Sequence, residues 1–200
     1  MIAIIDYGMG NLRSVQKALE KTGAKAMITQ KTTDVAKAEK VVLPGVGAMQ
    51  PAMEKLRSLN LVGAIKEAAS QKPFLGICLG LQLLFETSNE GGQVQGLEIL
   101  PGTVERFPKL KVPQMGWNQL ALRQKNNPLL KNIDDQSHVY FCHSYFVRPT
   151  EPGIILTTTD YGIEYASSVA RKNLFGVQFH PEKSQTVGLK ILENFAGLAV

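Results

Sequence analysis

Cys78 stands in the run Gly76-Ile77-Cys78-Leu79-Gly80-Leu81-Gln82, with one glycine two places before it and another two places after. The residues ahead, Pro73-Phe74-Leu75-Gly76-Ile77, form a short apolar run behind a proline, which predicts a buried strand. The residues behind, Leu79 to Phe85, predict a helix. The cysteine therefore falls on a sharp strand-to-helix turn. Flanking glycines let the backbone fold tightly there and let strand and helix approach closely. The spacing is that of a G-x-S-x-G nucleophile elbow with cysteine in the serine position. A thiol so placed projects from the turn and meets a helix N-terminus, whose free N–H groups favour the thiolate. The plain alternative is a buried cysteine between an ordinary strand and helix. A base, an oxyanion hole and a pocket elsewhere in the chain decide between the two.

Three histidines are present. His138 opens a predicted strand and reads as structural or exposed; His143 lies mid-strand in Cys142-His143-Ser144-Tyr145. His180 directly follows the apolar strand Leu174 to Phe179 and begins His180-Pro181-Glu182. In an open α/β sheet, reacting groups gather at the carboxyl ends of strands. Cys78 and His180 both occupy such ends. Pro181 stiffens the turn, and Glu182 is near enough to hold the ring. A thiol at its free pKa is mostly protonated at neutral pH, so an adjacent imidazole is needed to take the proton. A carboxylate then orients the ring and stabilises its cation. Taken alone, His180 could equally cap a loop or helix. An acyl-transfer cysteine also needs N–H groups aimed at the developing oxyanion. The N–H of Leu79 is one candidate. The loop Gly45-Val46-Gly47, at the end of a predicted strand, is the other, unless it is a plain strand-to-helix turn.

The elements that carry these residues alternate through the first half. Strands are predicted over Met1–Asp6, Ala24–Thr29, Lys40–Leu43 and Phe74–Ile77. Helices are predicted over Leu12–Lys21 with Asn11 as its cap, over Asp34–Ala38, from Met49 onward, and over Leu61–Ala69. This alternation implies a parallel sheet covered on both faces. The turn Tyr7-Gly8-Met9-Gly10 lacks the third glycine of a dinucleotide fingerprint, because position 13 is arginine. The second half reads as strands and hairpins over Gly96–Phe107, Lys111–Leu122, Ser137–Val147, Ile154–Thr159, Glu164–Ala170 and Leu174–Phe179, closed by a helix from Ser184 to Phe195. No linker or repeat divides the chain, so residues 1–200 read as one domain.

The bulk properties narrow the class. The 200 residues are 44% hydrophobic and 20% charged, ordinary for a globular protein. The formal charge of +5 is scattered and forms no basic stripe with interleaved aromatics, which argues against nucleic acid. An acidic protein partner is the sharper alternative to plain solvated surface. Two cysteines give neither a disulfide framework nor a metal spacing. A reducing, cytoplasmic setting is expected. The apolar start, Met1 to Ile5, is too short for a leader or a span, and no membrane segment is expected.

The elbow and His180-Pro181-Glu182 together resemble the class I (triad) glutamine amidotransferases. Further stretches are similar to one branch of that family, the glutaminases that feed a (β/α)8-barrel cyclase in histidine synthesis. They are Asp6-Tyr7-Gly8-Met9-Gly10-Asn11-Leu12, Leu43-Pro44-Gly45-Val46-Gly47, Pro113-Gln114-Met115-Gly116-Trp117-Asn118, His143-Ser144-Tyr145 and Lys183. The resemblance spans the chain. It implies a flavodoxin-like α/β fold, with a central, mostly parallel mixed sheet, flanking helices and an added antiparallel layer. It implies hydrolysis of glutamine to glutamate and ammonia, with Cys78, His180 and Glu182 catalytic. Leu79 and Val46 would form the oxyanion hole, and Gly47, Gln82, Glu90, His143, Ser144 and Tyr145 the substrate pocket. It implies no metal and no organic cofactor. The cyclase subunit would form a heterodimer with this chain, across a face near Asn11, Trp117, Asn118 and Lys183. Trp117, the only tryptophan, could instead be a core aromatic, and Cys142 is expected to be buried and apolar. Three other readings compete: the glutaminase of pyridoxal phosphate synthase, which shares the triad; a partner-independent cysteine peptidase or γ-glutamyl hydrolase; and a binding module with a fossil site.

Overall fold

The strands of the first eighty residues are apolar almost throughout, so they need cover on both faces. The computed structural model describes residues 1–199 and shows how the chain supplies it. β1 (Ile2–Ile5), β2 (Ala26–Thr29), β3 (Lys40–Gly45) and β4 (Phe74–Cys78) pair in parallel in the order β2-β1-β3-β4. Successive side chains of a strand point to opposite faces, and the two halves of the core follow that alternation. Ala3, Ile5 and Leu43 face one way and meet α3 (Met49–Ser58) and α4 (Leu61–Gln71) through Met53, Leu56 and Ile65. Ile2, Ile4, Val42 and Ile77 face the other way. They meet α1 (Leu12–Lys21) through Val15 and Leu19, and the closing helix through Ile191, Leu192 and Phe195. The short α2 (Thr32–Lys37) packs at the edge through Val35.

Beyond Cys78 the chain makes a single-turn helix, α5 (Leu79–Leu83), then β5 (Phe85–Ser88), β6 (Val94–Gln95) and β7 (Leu100–Arg106). β8 (Gln114–Gln119), β9 (Ala121–Leu122), β10 (His138–His143), β11 (Tyr145–Pro149), β12 (Ile155–Asp160), β13 (Glu164–Arg171) and β14 (Leu174–Val177) follow. β14 adds in parallel to β4 and leads the sheet into an antiparallel half through β13, β11 and β7. β8 and β10 leave this sheet and form an antiparallel pair of their own. α6 (Gln185–Ala196) closes the chain. The architecture is the expected α/β sheet with flanking helices and an added antiparallel layer.

Several local expectations need correction. The apolar run Leu79–Phe85 stops being helical at Leu83, because Phe85 enters β5 and pairs with Leu100 of β7. A helix of one turn has little dipole, so Cys78 meets free N–H groups more than a macrodipole. Ser137–Val147 is two strands broken at Ser144, where the chain passes from one sheet to the other. Gly96–Phe107 and Lys111–Leu122 begin as irregular backbone, pairing only from Leu100 and Gln114. Asn11 precedes α1 without a capping hydrogen bond; its side chain accepts from the Ser14 hydroxyl at 2.9 Å instead. Asp34 lies inside α2, where its carboxylate accepts from Thr29 Oγ1.

Candidate active site

The sequence residues with chemical potential meet because β3, β4 and β14 are neighbours. Gly45 is in register with Cys78, and Val177 with Ile77. The loop after β3, the thiol at the end of β4 and the imidazole three residues past β14 therefore share one end of the sheet. A cleft of about 280 Å³ opens there, lined by Val46, Gly47, Cys78, Leu79, Gln82, Glu90, Pro113, Cys142 to Tyr145, His180 and Lys183. A larger hollow of about 520 Å³, near Lys66, Arg171 and Leu174, lies at the opposite end of the strands and is lined by neither cysteine nor histidine.

The elbow is tight for the reason its glycines imply. A Cβ on Gly76 would sit 2.7 Å from the Gly80 carbonyl oxygen, and one on Gly80 only 1.7 Å from the Leu43 carbonyl oxygen. Cys78 itself adopts φ 55°, ψ −108°. A non-glycine residue in that region costs about 1–3 kcal/mol and is retained where the surroundings enforce it. Its Sγ lies 3.9 Å from the Cys142 carbonyl oxygen and 3.7 Å from Gln178 Nε2.

His180 is buried, and its Nδ1 lies 2.9 Å from Glu182 Oε1. Glu182 is also buried, and its second oxygen has no partner among the described residues. Burial opposes the imidazolium, but the hydrogen bonds and charges of Cys78 and Glu182 outweigh it and push His180 up to about 10. The His180 backbone is pinned as well. Its N–H donates to the Tyr140 carbonyl at 2.9 Å, and its carbonyl accepts from the Ser184 hydroxyl at 2.7 Å. Ser184 in turn accepts from the Tyr140 N–H, so β10 is bolted to the base.

Gln82 is buried and donates through Nε2 to the Tyr145 carbonyl at 3.0 Å and to Gln178 Oε1 at 3.1 Å. Glu90 reaches the cleft with one carboxylate oxygen on the Met49 N–H, at the start of α3. His143 lines the cleft, yet both ring nitrogens are engaged inside: Nδ1 with the Tyr145 carbonyl at 2.7 Å, Nε2 with the Tyr165 hydroxyl at 3.2 Å. A carbonyl only accepts, so Nδ1 carries the proton; the Tyr165 hydroxyl beside Nε2 donates its one hydrogen to Gln114 Oε1 at 2.8 Å. Burial holds the ring down to about 4; the bond to Tyr145 resists this, and the nearby charge of His180 adds to it.

That depression has a consequence for acid stability. The folded value lies below the ordinary histidine value of 6.5, so a neutral His143 contributes fully above pH 6.5. The contribution is lost as pH falls through about 4, and it amounts to about 3 kcal/mol. The urea midpoint of the wild-type protein is expected to drop between pH 7 and pH 4.5 by more than that of His143→Gln. Parallel losses in the two proteins would assign the acid sensitivity to other groups.

The remaining expected residues divide between the cleft and the outer surface. Val46 is 42% exposed, and Gly47 has φ +95°. Trp117, left open between core and surface, is 47% exposed, beside Met115 at 64%. The Trp117 ring stands edge-on to Tyr140, with centroids 6.2 Å apart, and Lys183 Nζ lies over the Tyr140 ring, 5.7 Å from its centroid. Asn118 is tied inward, donating to the Asp160 carbonyl at 2.8 Å. Asn11 is exposed before α1. Cys142 departs from expectation: it is half-buried and lines the cleft. Two residues next to the thiol were missed. Tyr7 is buried and packed against Gly45, its hydroxyl without a hydrogen-bond partner among the described residues; burial pushes its pKa far above the ordinary value. Gln178 is the other. It lies in a bend just past β14, two places before His180, and its place at the carboxyl end of that strand was the signal that could have found it. Among the described residues no cluster of His, Cys, Asp or Glu could hold a metal ion, and no helix is long and apolar enough to cross a membrane.

A thiol on a strained elbow, with a carboxylate-held imidazole beside it, defines a cysteine-dependent hydrolase or transferase. The chain belongs to the glutamine amidotransferase class-I family, whose model matches residues 3–197. It is 53% identical over 199 residues to imidazole glycerol phosphate synthase subunit HisH of Moorella thermoacetica, covering 98% of this chain and 94% of that protein. It is 51% identical to the subunit of the same name from Syntrophotalea carbinolica, covering 99% and 100%. Among solved structures, a glutamine amidotransferase superposes with a TM-score of 0.77 at 17% identity over 99% of this chain and 100% of that one. PurLQS from Thermotoga maritima superposes at 0.74 and 18%, over 97% and 96%. At such identities the structures support the fold alone.

Proposed function

We propose that the chain is the glutaminase subunit of imidazole glycerol phosphate synthase, and that it hydrolyses glutamine at the cleft between β3, β4 and β14. The observation that carries this reading is the thiol–imidazole–carboxylate line of Cys78, His180 and Glu182 at one sheet end, in a chain about half identical to such subunits. Cys78 Sγ attacks the side-chain amide carbon, and its proton passes to His180. The N–H groups of Leu79 and the Val46 loop hold the oxyanion. As the tetrahedral intermediate collapses, His180 returns the proton to the departing nitrogen, which leaves as ammonia. Water, deprotonated by the same ring, then cleaves the γ-glutamyl thioester and releases glutamate. Glu182 keeps Nδ1 protonated and the ring aligned throughout.

The pocket recognises the amino-acid end of the substrate. Gln82 has spent its amide hydrogens on Tyr145 and Gln178, which leaves its oxygen to accept from the α-ammonium. Glu90 and the Gly47 and Ser144 backbone complete the walls. The ammonia goes to a (β/α)8-barrel cyclase subunit. Its docking face is the exposed strand β8, where Trp117 and Met115 stand free beside Lys183 and the cleft mouth, with Asn11 and Asn118 at its margin. Exposed aromatic and sulfur-bearing side chains of this kind anchor interfaces. A cytoplasmic, reducing setting suits a free thiol nucleophile.

The direct test uses a glutamine-mimicking electrophile. Incubation followed by peptide mapping is expected to place the adduct on Cys78 and not on Cys142, with free glutamine slowing the labelling. Labelling indifferent to glutamine would remove the substrate assignment, and hydrolysis of unrelated peptides by the isolated chain would favour a peptidase.

A further inference from the structure

Gln178 lies against the nucleophile, and the steps above give it no role. It is wholly buried at the end of β14, and its backbone N–H donates to the Ser167 carbonyl. A buried side-chain amide is costly unless both of its ends are bonded. Its neighbours settle which way it faces. The Tyr145 carbonyl can only accept, so Gln82 turns its NH2 towards Tyr145. The second hydrogen of that NH2 points at Gln178, which must answer with its oxygen. The Gln178 NH2 is then left facing Cys78 Sγ at 3.7 Å. Turning either amide over would set like atoms against each other.

We infer that Gln178 is a further catalytic residue, whose amide N–H donates to the Cys78 sulfur and whose oxygen ties that donor to Gln82 in the glutamine pocket. A donor bonds a thiolate more strongly than a thiol, so it favours the reactive form and holds the sulfur in place. When the sulfur enters the thioester its charge is lost and the bond weakens. When water expels the sulfur as thiolate, the bond is restored, so the same donor assists the leaving group. No atom is transferred to or from Gln178 in either step. Because Gln82 holds the amide from the other side, a ligand that pulls on Gln82 moves the donor to the nucleophile. The part in turnover rests on the glutaminase reading; the donation to sulfur does not.

The test is the pH profile of Cys78 alkylation by iodoacetamide in the full chain, without glutamine. Gln178→Met keeps volume and removes both polar ends. It is expected to move the profile to higher pH and to slow alkylation near neutrality about tenfold, with kcat for glutamine falling more than KM rises. Gln178→Glu, which sets an acceptor against the sulfur, is expected to slow it further. An unchanged profile in both variants would overturn the inference, even if glutamine turnover fell, since a purely structural role would do that. If neither variant folds, the side-chain NH2 resonances of Gln178 in the wild-type protein answer the same question. They should titrate together with the thiol and jump on alkylation, and their indifference would overturn the inference. Retained glutamine hydrolysis in Cys78→Ala would instead overturn the functional reading, leaving the alkylation profile interpretable.

Discussion

Cys78→Ala is expected to abolish glutamine-dependent product formation by the complex with its cyclase, by at least about 10⁴-fold, while ammonia-dependent formation stays near the wild-type rate. The substitution is well suited to the question because of the backbone at this position. Cys78 has φ 55°, and alanine carries the same Cβ, so the strain of the elbow is unchanged and only the sulfur is lost. The Gly76–Gly80 packing that shapes the turn does not involve Sγ. The fold and the proposed partner face on β8 are therefore expected to be retained, so free ammonia can still reach the other subunit. Steady-state rates with glutamine and with ammonium salt separate the two halves of the reaction. Loss of both would mean that the variant fails to assemble or fold, and retention of glutamine turnover would mean that Cys78 is not the nucleophile.

The second large effect is on stability. Gly80→Ala places a methyl group 1.7 Å from the Leu43 carbonyl oxygen and 2.8 Å from its carbon. Both atoms are backbone of β3, a fully buried strand hydrogen-bonded to β1 and β4. Nothing there can swing aside, so α5 must lift off the sheet or β3 must shift. Destabilisation of about 4 kcal/mol or more is expected, which for a chain of this size lowers the melting temperature by about 10 °C. Gly63→Ala is the natural control. Gly63 lies inside α4 with open space around its Cβ position, and alanine there is expected to be neutral or to stabilise by up to about 1 kcal/mol. Thermal melts of the two variants against the wild type decide the matter; similar melts for both would show that α5 can yield.

The contrast between these glycines indicates what was legible in the sequence. Gly76 and Gly80 announced a close strand–helix approach, and the backbone contacts bear it out. His180 and Glu182 were readable because a histidine directly after an apolar strand must lie at the sheet's functional end, and their 2.9 Å contact follows from local spacing. The failures share a different cause. Leu79 to Phe85 is an unbroken apolar run, and such a run does not distinguish helix from strand; pairing with the distant β7 ends the helix at Leu83. The departure of β8 and β10 from the main sheet depends on partners outside either strand, as does the half-exposure of Trp117 and Cys142. Gln82 was legible as a pocket residue, but the orientation of its amide was not, because the Tyr145 carbonyl and Gln178 are 63 and 96 positions away.

The adjacency of β3, β4 and β14 also bears on how the subunit wears out. The nucleophile ends one of these strands, the base follows another, and the three are buried and paired along their length. The distance between thiol and imidazole is therefore set by the sheet ladder together with the Tyr140 and Ser184 bonds that pin the His180 backbone. A chain that loses its core therefore loses this distance as well. Fraying of the chain termini, which carry neither group, leaves the chemistry in place until the centre gives way.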